Sequence, residues 1–525
     1  MRAPCDETLI QSGSAAAPCK PEAGPWILAA TILGSSMAFI DGTVVNVAVP
    51  TLQKAFHANV VDVQWVIESY GIFLSSLILA GGALGDLFGR RRMFLLGVAV
   101  FAAASAACGL APSIEALVIA RSIQGVGAAL LVPGSLSIIG ASFDEKSRGQ
   151  AIGTWSGFTS ITTALGPVLG GWLIEHGSWR WAFFLNVPLA AAVVVISLWR
   201  VPESRNSSVA RIDWLGALLA TAGLGGVVTA FLESAKLGWS NPLVFGSFLA
   251  GVACLVIFVL VEAHLSSPML PLALFNSRAF SGANLITLFL YAAIGIFFFL
   301  FPMNLIQLHG YSTTATGAAL LPVILLMFFL SRWSGGLVNH YGARIPLIIG
   351  PLIGSAGFLL FALHPAKGSY WTTFFPATLV LGLGMAVTVA PLTIVVMCSV
   401  DQDHVGAASG INNAVARVAG VLAIAVLGIV MVKAFGSQLD QTLAKLSLPP
   451  DVVQNIRSKQ IELAGLELPK GLDPNTVDML RRAIANAFLS SFRLVMFLCA
   501  ALSTASAIVA WRLIAPDEVA SARSS

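Results

Sequence analysis

Apolar stretches long enough to cross a membrane recur along almost the whole chain. A helix of roughly twenty residues spans the ~30 Å hydrocarbon core of a bilayer, and about fourteen stretches of that length follow one another between Trp26 and Trp511. This pattern predicts an all-α polytopic membrane protein with about fourteen transmembrane helices. The predicted spans are 26–50, 64–85, 93–111, 115–141, 149–173, 181–199, 213–232, 242–263, 280–306, 315–338, 344–363, 371–397, 405–432 and 487–512.

The composition agrees with this class and argues against several functions. The 525 residues are 57% hydrophobic and only 10% charged, whereas a soluble domain carries about 25% charged residues. A net charge of +4, with the basic residues scattered or in loops, argues against a nucleic-acid partner. No P-loop motif is present, the histidines lack metal-ligand spacing, and four of the six cysteines lie in apolar stretches. We therefore expect no ATP site, cofactor, metal, disulfide framework or enzyme activity.

The distribution of basic residues predicts how the chain is oriented. An even number of spans places both termini on one side, and lysine and arginine concentrate in the loops of that side, as they do in cytoplasmic loops. We expect a cell inner (plasma) membrane protein with cytoplasmic termini, including a disordered tail at 1–25 and a second tail at 514–525. The long segment 434–486 then lies outside the cell, and its leucine spacing predicts a small amphipathic cap.

Short motifs recur about 250 positions later in the chain and indicate an internal repeat. One set reappears 253 positions later and another reappears 257 positions later, which predicts two six-helix bundles at 26–200 and 280–513 with two inserted helices within 201–279. The first set is Gly82-x-Leu84…Gly89-x-Arg91 and Gly335-x-Leu337…Gly342-x-Arg344. The second set is Gly127, Asp144, Gly149, Ala151 and Gly153 with Gly384, Asp401, Gly406, Ala408 and Gly410.

Three charged residues lie well inside predicted spans of the N-terminal bundle. Asp41 is in the first span, Glu68 in the second and Arg121 in the fourth. Charges at this depth cost several kcal/mol unless they face a cavity or each other. They are either a structural ion pair or a proton-binding carboxylate that a neighbouring arginine tunes, and the residues alone leave both interpretations open.

The stretch GGALGDLFGRRRMF (81–94) gathers four charges between two apolar runs. The three arginines fit the basic bias of cytoplasmic loops, but the glycines and the aspartate need another explanation. Glycines let helix ends approach closely, and an aspartate there can form a charged latch that opens and closes. We therefore predict a gating motif formed by Gly82, Gly85, Asp86, Gly89, Arg90 and Arg91.

This stretch resembles the loop motif of the major facilitator superfamily, and further motifs resemble its fourteen-span drug:proton antiporters. IDGTVVNVAVP (40–50) resembles their first-helix signature, RSIQGVGAA (121–129) their fourth-helix motif and GPVLGG (166–171) their antiporter motif. WRWAFFLNVP (179–188) and GINNAVARVAG (410–420) resemble their sixth and thirteenth helices.

The resemblance implies the major facilitator fold and proton-coupled multidrug efflux. It implies that Asp41 and Arg121, with Glu68 nearby, couple transport to protons, and that Gly166, Pro167, Gly170 and Gly171 form the antiporter motif. The same four residues also read as a glycine packing face with a proline bend, and both readings can hold. In the second copy of the loop motif Asn339 replaces the aspartate, so we expect the first copy to dominate gating.

The predicted spans after residue 280 contain no aspartate or glutamate, and the ninth offers the aromatic run IFFFLF (296–301). Such runs are usually core or lipid-facing, but a half without carboxylates suits lipophilic, neutral or monocationic substrates. Candidate substrate contacts are Asn46, Trp65, Tyr70, Gln124, Trp155, Asn412, Asn413 and Arg417.

We therefore predict an exporter of lipophilic drugs or other toxic organic compounds, driven by proton entry. Its expected partners are a small lipophilic or monocationic substrate, protons and the lipid bilayer, with accessory export proteins as a further option. One alternative is an exporter of a single endogenous metabolite or lipid on the same scaffold. A non-transporting membrane receptor or lipid-modifying enzyme is a second alternative, against which the intramembrane Asp41 and Arg121 weigh.

Overall fold

The computed structural model describes a helical membrane protein whose spans follow one another with short connections. It describes residues 23–143, 145–205, 213–265, 268, 270–363, 368–400, 405–444, 448–466, 468–469 and 472–515. Within these residues there is no β-strand, and 14 helices are long and apolar enough to cross a membrane. The predicted all-α fold with fourteen spans is confirmed. Most of the predicted tails at 1–25 and 514–525 lie outside the described residues.

We number the fourteen spans α1 to α14 in chain order. Three of them have a break or a change of helix type: α6 at Leu185, α10 at Leu320, and α9 where a π-helical turn, Asn304–Leu308, continues it. The bounds are α1 Gly24–Phe56, α2 Val60–Phe88, α3 Arg90–Leu110, α4 Ile114–Ser142, α5 Glu145–His176, α6 Trp179–Phe184 with Asn186–Arg200, α7 Trp214–Leu237, α8 Pro242–His264, α9 Arg278–Met303, α10 Thr313–Ala319 with Leu321–Tyr341, α11 Arg344–Leu363, α12 Phe375–Cys398, α13 Val405–Leu443 and α14 Pro474–Leu513.

Local sequence explains why the short connections work. Asn59 and Asp62 form a capping box that begins α2, with each side chain bonding the backbone N–H of the other at 3.1 and 3.0 Å. Side chains also cap the first turns of α4, α7 and α9, where Ser113, Asp213 and Ser277 accept from backbone N–H groups. These caps satisfy donors that a helix cannot satisfy itself.

The internal repeat appears in the backbone. Gly89 ends α2 with φ +111°, and Gly342, 253 positions later, ends α10 with φ +70°. Only glycine adopts such φ values readily, so both copies use a glycine to turn directly from one span into the next. Gly127 packs on the α3 backbone, and Gly384, 257 positions later, packs in the same way on the α11 backbone at Gly354.

The two inserted helices sit across the seam between the halves. The first inserted helix, α7, packs against α2 of the N-terminal half and against α13 of the C-terminal half. The second, α8, packs mainly on α7, where Gly226 and Gly251 bring the two backbones together. Most of the outer face of α8 is exposed, including Val256, Ile257 and Leu260, as expected of a helix that faces lipid.

The predicted loop 434–486 is shorter than expected. The helix α13 runs on to Leu443 and α14 begins at Pro474, because both extensions bury apolar side chains such as Leu439 and Leu480. The longer helices therefore carry two acids, Asp440 and Asp478, near their ends. Both acids lie outside the predicted spans, and Asp478 is exposed.

Between these helices lie a short α-helix, Pro450–Ser458, and a 3-10 turn, Gln460–Gly465. The first is amphipathic, with Val452 and Ile456 buried against the neighbouring spans. We call the end of the molecule that carries these two elements the cap end. The opposite end, which carries Asp86 and Gly89, is the motif end.

The aromatic run of α9 lies in the protein core and not against lipid. Phe297, Phe299 and Phe301 are fully buried, and Phe297 and Phe301 stack with ring centroids 5.0 Å apart. Phe297 packs against Phe358 and Phe361 of α11, and Phe301 packs against Phe361. The core alternative for this run is therefore the correct one.

Candidate transport site and gate

The centre of the N-terminal half holds a buried ion pair. The Arg121 guanidinium on α4 donates from Nη1 to Oδ2 of Asp41 on α1, and both side chains are 1% exposed. Gln124, one turn along α4, donates from Nε2 to Asp41 Oδ1 at 2.8 Å and accepts from Arg121 Nη1 at 2.8 Å. Three of the predicted site residues are thus joined in one network, in which each charge has a partner.

The arginine is held on its other sides as well. Its Nε donates to the carbonyl oxygen of Val66 at 3.1 Å, and its guanidinium lies 4.2 Å above the ring of Tyr70. Such a cation–π contact is most favourable where water is excluded. Arg121 therefore connects α4 to α2 in addition to α1.

Asn186 belongs to this network, although the sequence analysis did not assign it. Its Nδ2 donates to Asp41 Oδ1 at 3.3 Å and to Ser105 Oγ at 3.0 Å. It lies in the WRWAFFLNVP stretch, directly after the break at Leu185 in α6. A polar residue inside an apolar run was the available signal in the sequence.

Glu68 is buried differently from Asp41. It is 0% exposed, and neither carboxylate oxygen has a hydrogen-bond partner among the described residues. Gln64 and Gly71, on the same face of α2, contact Ile424 and Val421 of α13. By helix periodicity, Glu68 points into this interface between the two halves.

Arg417 on α13 is a second charge at the centre, and it belongs to the C-terminal half. Its guanidinium lies 5.8 Å from the ring of Phe39 on α1. It forms no ion pair with another described residue. Asn413 is exposed one turn away on the same face. We call the space between α13 and α1 that Arg417, Asn413 and Phe39 border the cleft between the halves.

Two further predicted substrate contacts, Asn412 and Asn46, are hydrogen-bonded within the protein. Asn412 donates to Asn284 Oδ1 at 3.2 Å and to Thr287 Oγ1 at 2.7 Å, both on α9. Asn46 bonds the carbonyl oxygen of Gly42 in its own helix at 3.2 Å. It lies two turns from Phe39 on the same face of α1, so it borders the cleft.

The structure corrects the placement of Trp65 and restricts that of Trp155. Trp65 Nε1 donates to Glu233 Oε1 of the inserted helix α7 at 2.8 Å, so it packs against the inserted helix and not in the cleft. It lies one position beyond Gln64, and the resulting 100° rotation turns it towards α7. Trp155 bonds Ser35 of α1 at 3.1 Å, which ties α5 to α1.

The GPVLGG residues form close helix contacts. Gly166 lies against Thr43 and Ile40 of α1, Gly170 lies against Val44, and a Cβ at either position would overlap Thr43 or Val44. Gly171 lies against the Thr313 backbone of α10, and a Cβ on Gly317 of α10 would meet the Pro167 carbonyl at 2.1 Å. The motif therefore packs α5 both within its own half and against the other half.

Additional bonds join the two halves at the cap end. Gln307 donates from Nε2 to Oε1 of Gln53 at 2.7 Å, and the Thr314 backbone N–H donates to Glu175 at 3.1 Å. Together with the α5–α10 glycine contacts, these bonds hold the cap end closed in this conformation.

At the motif end, Asp86 lies within the N-terminal half. Its carboxylate accepts from Arg90 Nε at 2.8 Å, across the turn between α2 and α3. Gly85 accepts from the backbone N–H of Gly89 at 3.0 Å in the same turn. The side chain of Asn339, in the second copy, lies outside the described residues.

Glu203 completes this motif, and sequence analysis missed it. Its carboxylate oxygens accept from the backbone N–H groups of Arg91 and Arg92 at 3.1 and 3.2 Å. This placement puts a negative charge at the N-terminus of α3, which the helix dipole favours. A Cβ on Gly89 would lie 2.7 Å from the same carboxylate. No local pattern marks a partner 112 positions away in the chain.

Two six-helix halves around a central cleft, with a buried ion pair in one half, define a membrane transporter of the repeat type. The family model of the Major Facilitator Superfamily matches residues 31–214 and 210–424. The chain belongs to the Major Facilitator Superfamily.

Known relatives are named for resistance to antibiotics. The chain is 36% identical over 436 residues to the multidrug resistance protein Stp of Mycobacterium tuberculosis, which covers 81% of this chain and 79% of that protein. It is 32% identical over 504 residues to the tetracenomycin C resistance and export protein of Streptomyces glaucescens, covering 94% and 93%.

Solved structures share the fold at low sequence identity. A bacterial homolog of the human lysosomal transporter Spinster superposes with a TM-score of 0.67 at 16% identity, covering 94% of this chain and 98% of that chain. A D-xylose–proton symporter superposes with a TM-score of 0.60 at 14% identity, covering 94% and 98%. The expected major facilitator fold is confirmed.

Proposed function

We propose that this protein exports lipophilic or monocationic toxic compounds across the inner membrane in exchange for protons. The observation that carries the proposal is the Asp41–Arg121 pair, a titratable carboxylate buried in the middle of a transporter fold. Relatives that cover most of the chain are named for multidrug and antibiotic resistance, which supports drugs as the substrate class.

Proton binding at Asp41 would act on three helices at once. The ionised carboxylate accepts bonds from Arg121 and Gln124 of α4 and from Asn186 of α6. Protonation replaces this charge with a neutral group, so the strong bond to Arg121 weakens. The relative positions of α1, α4 and α6 then depend on whether the proton is bound, which is what coupling requires.

The proton gradient supplies enough energy for this task. One proton that moves through ~150 mV releases about 3.5 kcal/mol. At ~1.4 kcal/mol per tenfold change, this sustains a substrate gradient of a few hundredfold. An ATP site is not needed for export on this scale.

Glu68 and Arg417 are proposed to act on substrate charge. Glu68 lies in the α2–α13 interface without a donor among the residues that the structure describes, and a buried carboxylate without a partner is costly when ionised. A cation that enters the interface would supply the missing partner. Arg417, which faces the cleft, would disfavour dications there.

We propose that the motif end is cytoplasmic and that both termini lie on that side. The basic residues Arg90, Arg91 and Arg92 cluster at this end, as the positive-inside rule expects. Reporter fusions after Gly140 or Ser204 should read cytosolic, and a fusion near Leu468 in the cap should read external. A cytosolic signal at Leu468 would contradict this orientation.

Transport into everted membrane vesicles tests the function directly. Vesicles with the protein should accumulate ethidium and neutral lipophilic dyes when ΔpH is imposed, and nigericin, which collapses ΔpH, should abolish accumulation. Vesicles with Asp41→Asn serve as the matched control. Activity for one compound in a wide panel would favour the single-metabolite exporter, and no ΔpH-driven flux of any compound would refute the proposal.

A further inference from the structure

An apolar cavity of about 570 Å³ lies beside the central cleft, between the inserted helices and the helices of the two halves. Its walls come from α2, α7, α8, α9 and α13, and the 3-10 turn Leu272–Asn276 borders it at the motif end. It therefore spans the seam where α2 of one half meets α9 and α13 of the other. The volume falls in the range of sites for drug-sized ligands, roughly 300–1,000 Å³.

Among the described residues, the lining is almost entirely apolar and carries no charged side chain. Leu224, Leu255, Phe258, Leu288 and Val418 represent the side chains that form it. A cavity without a counter-charge favours neutral molecules, because a buried unpaired ion is costly. The substrate class that fits is therefore an uncharged, lipophilic compound.

Four polar side chains also line the cavity, and three of them already have partners. Ser76 donates to the Ile72 carbonyl at 2.7 Å, Ser281 donates to the Phe275 carbonyl at 2.6 Å, and Asn284 donates to the Phe280 carbonyl at 2.9 Å.

The fourth polar side chain, Ser75, is 4% exposed, and its hydroxyl has no hydrogen-bond partner among the described residues. Buried hydroxyls are nearly always paired in proteins. Among the polar side chains that line the cavity, Ser75 is the one whose hydroxyl is not already bonded to another described residue, so it is the group that can bond a polar atom of a ligand.

The cavity lies mainly in the motif-end half of the membrane-spanning region and next to the cleft. Ser75 lies at the middle of α2, Ser281 and Asn284 lie in the first two turns of α9 at its motif end, and Ile411, Ala414 and Val415 lie in the motif-end half of α13. The cavity thus occupies the half of the bilayer that our proposed orientation assigns to the cytoplasmic leaflet. Asn284, which lines the cavity, is bonded to Asn412, a residue near the cleft.

We infer that this cavity is a lateral binding site for uncharged lipophilic compounds that enter from the bilayer beneath the inserted helix pair. The inference rests on the proposed export function and adds a substrate class and an entry route to it. The inserted helices then have a task beyond packing, because α7 and α8 form the outer wall of the site.

Binding of Nile red, a neutral lipophilic dye, to the full-length protein in nanodiscs tests the site without any gradient. Ala220→Trp on α7 and Ala414→Trp on α13 each place a large ring in the cavity and should weaken binding at least tenfold. Leu218→Trp, on the exposed face of α7 (66% exposed), is the matched control and should leave binding unchanged. Ser75→Ala should weaken binding about fivefold, the effect of one lost hydrogen bond.

Export assays in vesicles separate this inference from the proposed function. Ala220→Trp and Ala414→Trp should lose Nile red export and retain ethidium export, which also shows that they fold. If the unaltered protein exports ethidium but Ala220→Trp binds and exports Nile red normally, the lateral site is refuted and the exporter stands. If the unaltered protein exports nothing, the proposed function fails, and the binding result still decides the site.

Two other outcomes would also overturn the inference. Equal loss of Nile red and ethidium export in Ala220→Trp and Ala414→Trp, with normal protein levels, would show that the cavity serves only the movement of the seam. The second outcome concerns phospholipid that co-purifies with the unaltered protein and with Leu218→Trp. If this phospholipid is lost from Ala220→Trp and Nile red does not displace it, the occupant of the cavity is an acyl chain.

Discussion

The two halves of this transporter share a helical scaffold but differ at their centres. Gly127 and Gly384, 257 positions apart, make the same close contact with the third helix of each half. One turn and two turns earlier, the N-terminal half has Gln124 and Arg121, whereas the C-terminal half has Leu381 and Thr378. The repeat therefore preserves the packing glycine and exchanges the polar centre for an apolar one.

The residues around each centre match this difference in polarity. In the N-terminal half, Asp41 is bound by three donors. In the C-terminal half, Leu381 joins the same core cluster as the α9 and α11 phenylalanines, with Phe297 and Phe361 ring centroids 4.8 Å apart. Among the described residues, buried acids lie in α1, α2 and α8 and not in α9 to α14. The N-terminal half therefore holds the buried acids of the centre, whereas the C-terminal half combines an apolar core with one cation, Arg417, at the cleft.

The largest effect is expected from making the N-terminal centre resemble the other half. Arg121→Thr copies Thr378 and leaves Asp41 buried without its cation, which should destabilise the protein by about 3–5 kcal/mol. Thermal unfolding of purified protein, followed by tryptophan fluorescence, measures this loss. The double variant Asp41→Asn/Arg121→Thr should regain most of the stability but not ΔpH-driven export. Equal stability of Arg121→Thr and the unaltered protein would show that the pair is not needed to hold the centre together.

Substitutions in the two copies of the loop motif should also differ in their effect on export, with the larger effect in the N-terminal half. Asp86→Asn removes the charge-assisted bond to Arg90, which is worth about 1.5–3 kcal/mol, and should lower export about tenfold at unchanged protein level. Asn339→Asp restores the missing acid of the second copy and should change export by less than about twofold. Vesicle transport, normalised to the amount of protein, compares them. Normal export by Asp86→Asn would reduce the stretch to a topology signal.

The two buried acids of the N-terminal half should also be separable. Glu68→Gln keeps the shape of the side chain but removes the charge available to a cation, so ethidium export should fall about fivefold. Export of a neutral dye should stay within about twofold, because no charge is then involved. A parallel loss for both dyes would mean that Glu68 serves every transport cycle.

The smallest effect is expected in the apolar centre of the C-terminal half. Phe301→Leu shortens a fully buried ring and should cost roughly 1–2 kcal/mol of stability. Proton coupling should not change, because no titratable group is involved. The number of protons moved per substrate, measured in proteoliposomes, checks this expectation. A changed ratio would show that the C-terminal half takes part in coupling.

Sequence patterns predicted the parts of this fold that depend on local chemistry. Fourteen apolar runs and a repeated glycine motif were readable because span length and motif spacing can be read directly along the chain. Asp41 and Arg121 stood out because charges are rare inside spans, although the sequence left open whether they form a pair.

Features that depend on long-range packing were not readable in the same way. Glu203 at the start of α3 and Asn186 beside Asp41 come from helices that are distant in the chain. Trp65 was misplaced because a single residue step on α2 turns it from the cleft to Glu233. The ends of α13 and α14 were misjudged, since their mixed-charge extensions gain apolar contacts only from the folded cap.

The central claim is that the proton which drives export binds at Asp41 in the N-terminal half. Proton release on substrate addition, followed with a pH-sensitive dye in weakly buffered purified protein, tests it most directly. We predict release by the unaltered protein and by Glu68→Gln, and none by Asp41→Asn. Undiminished release by Asp41→Asn, or its loss only in Glu68→Gln, would contradict the account.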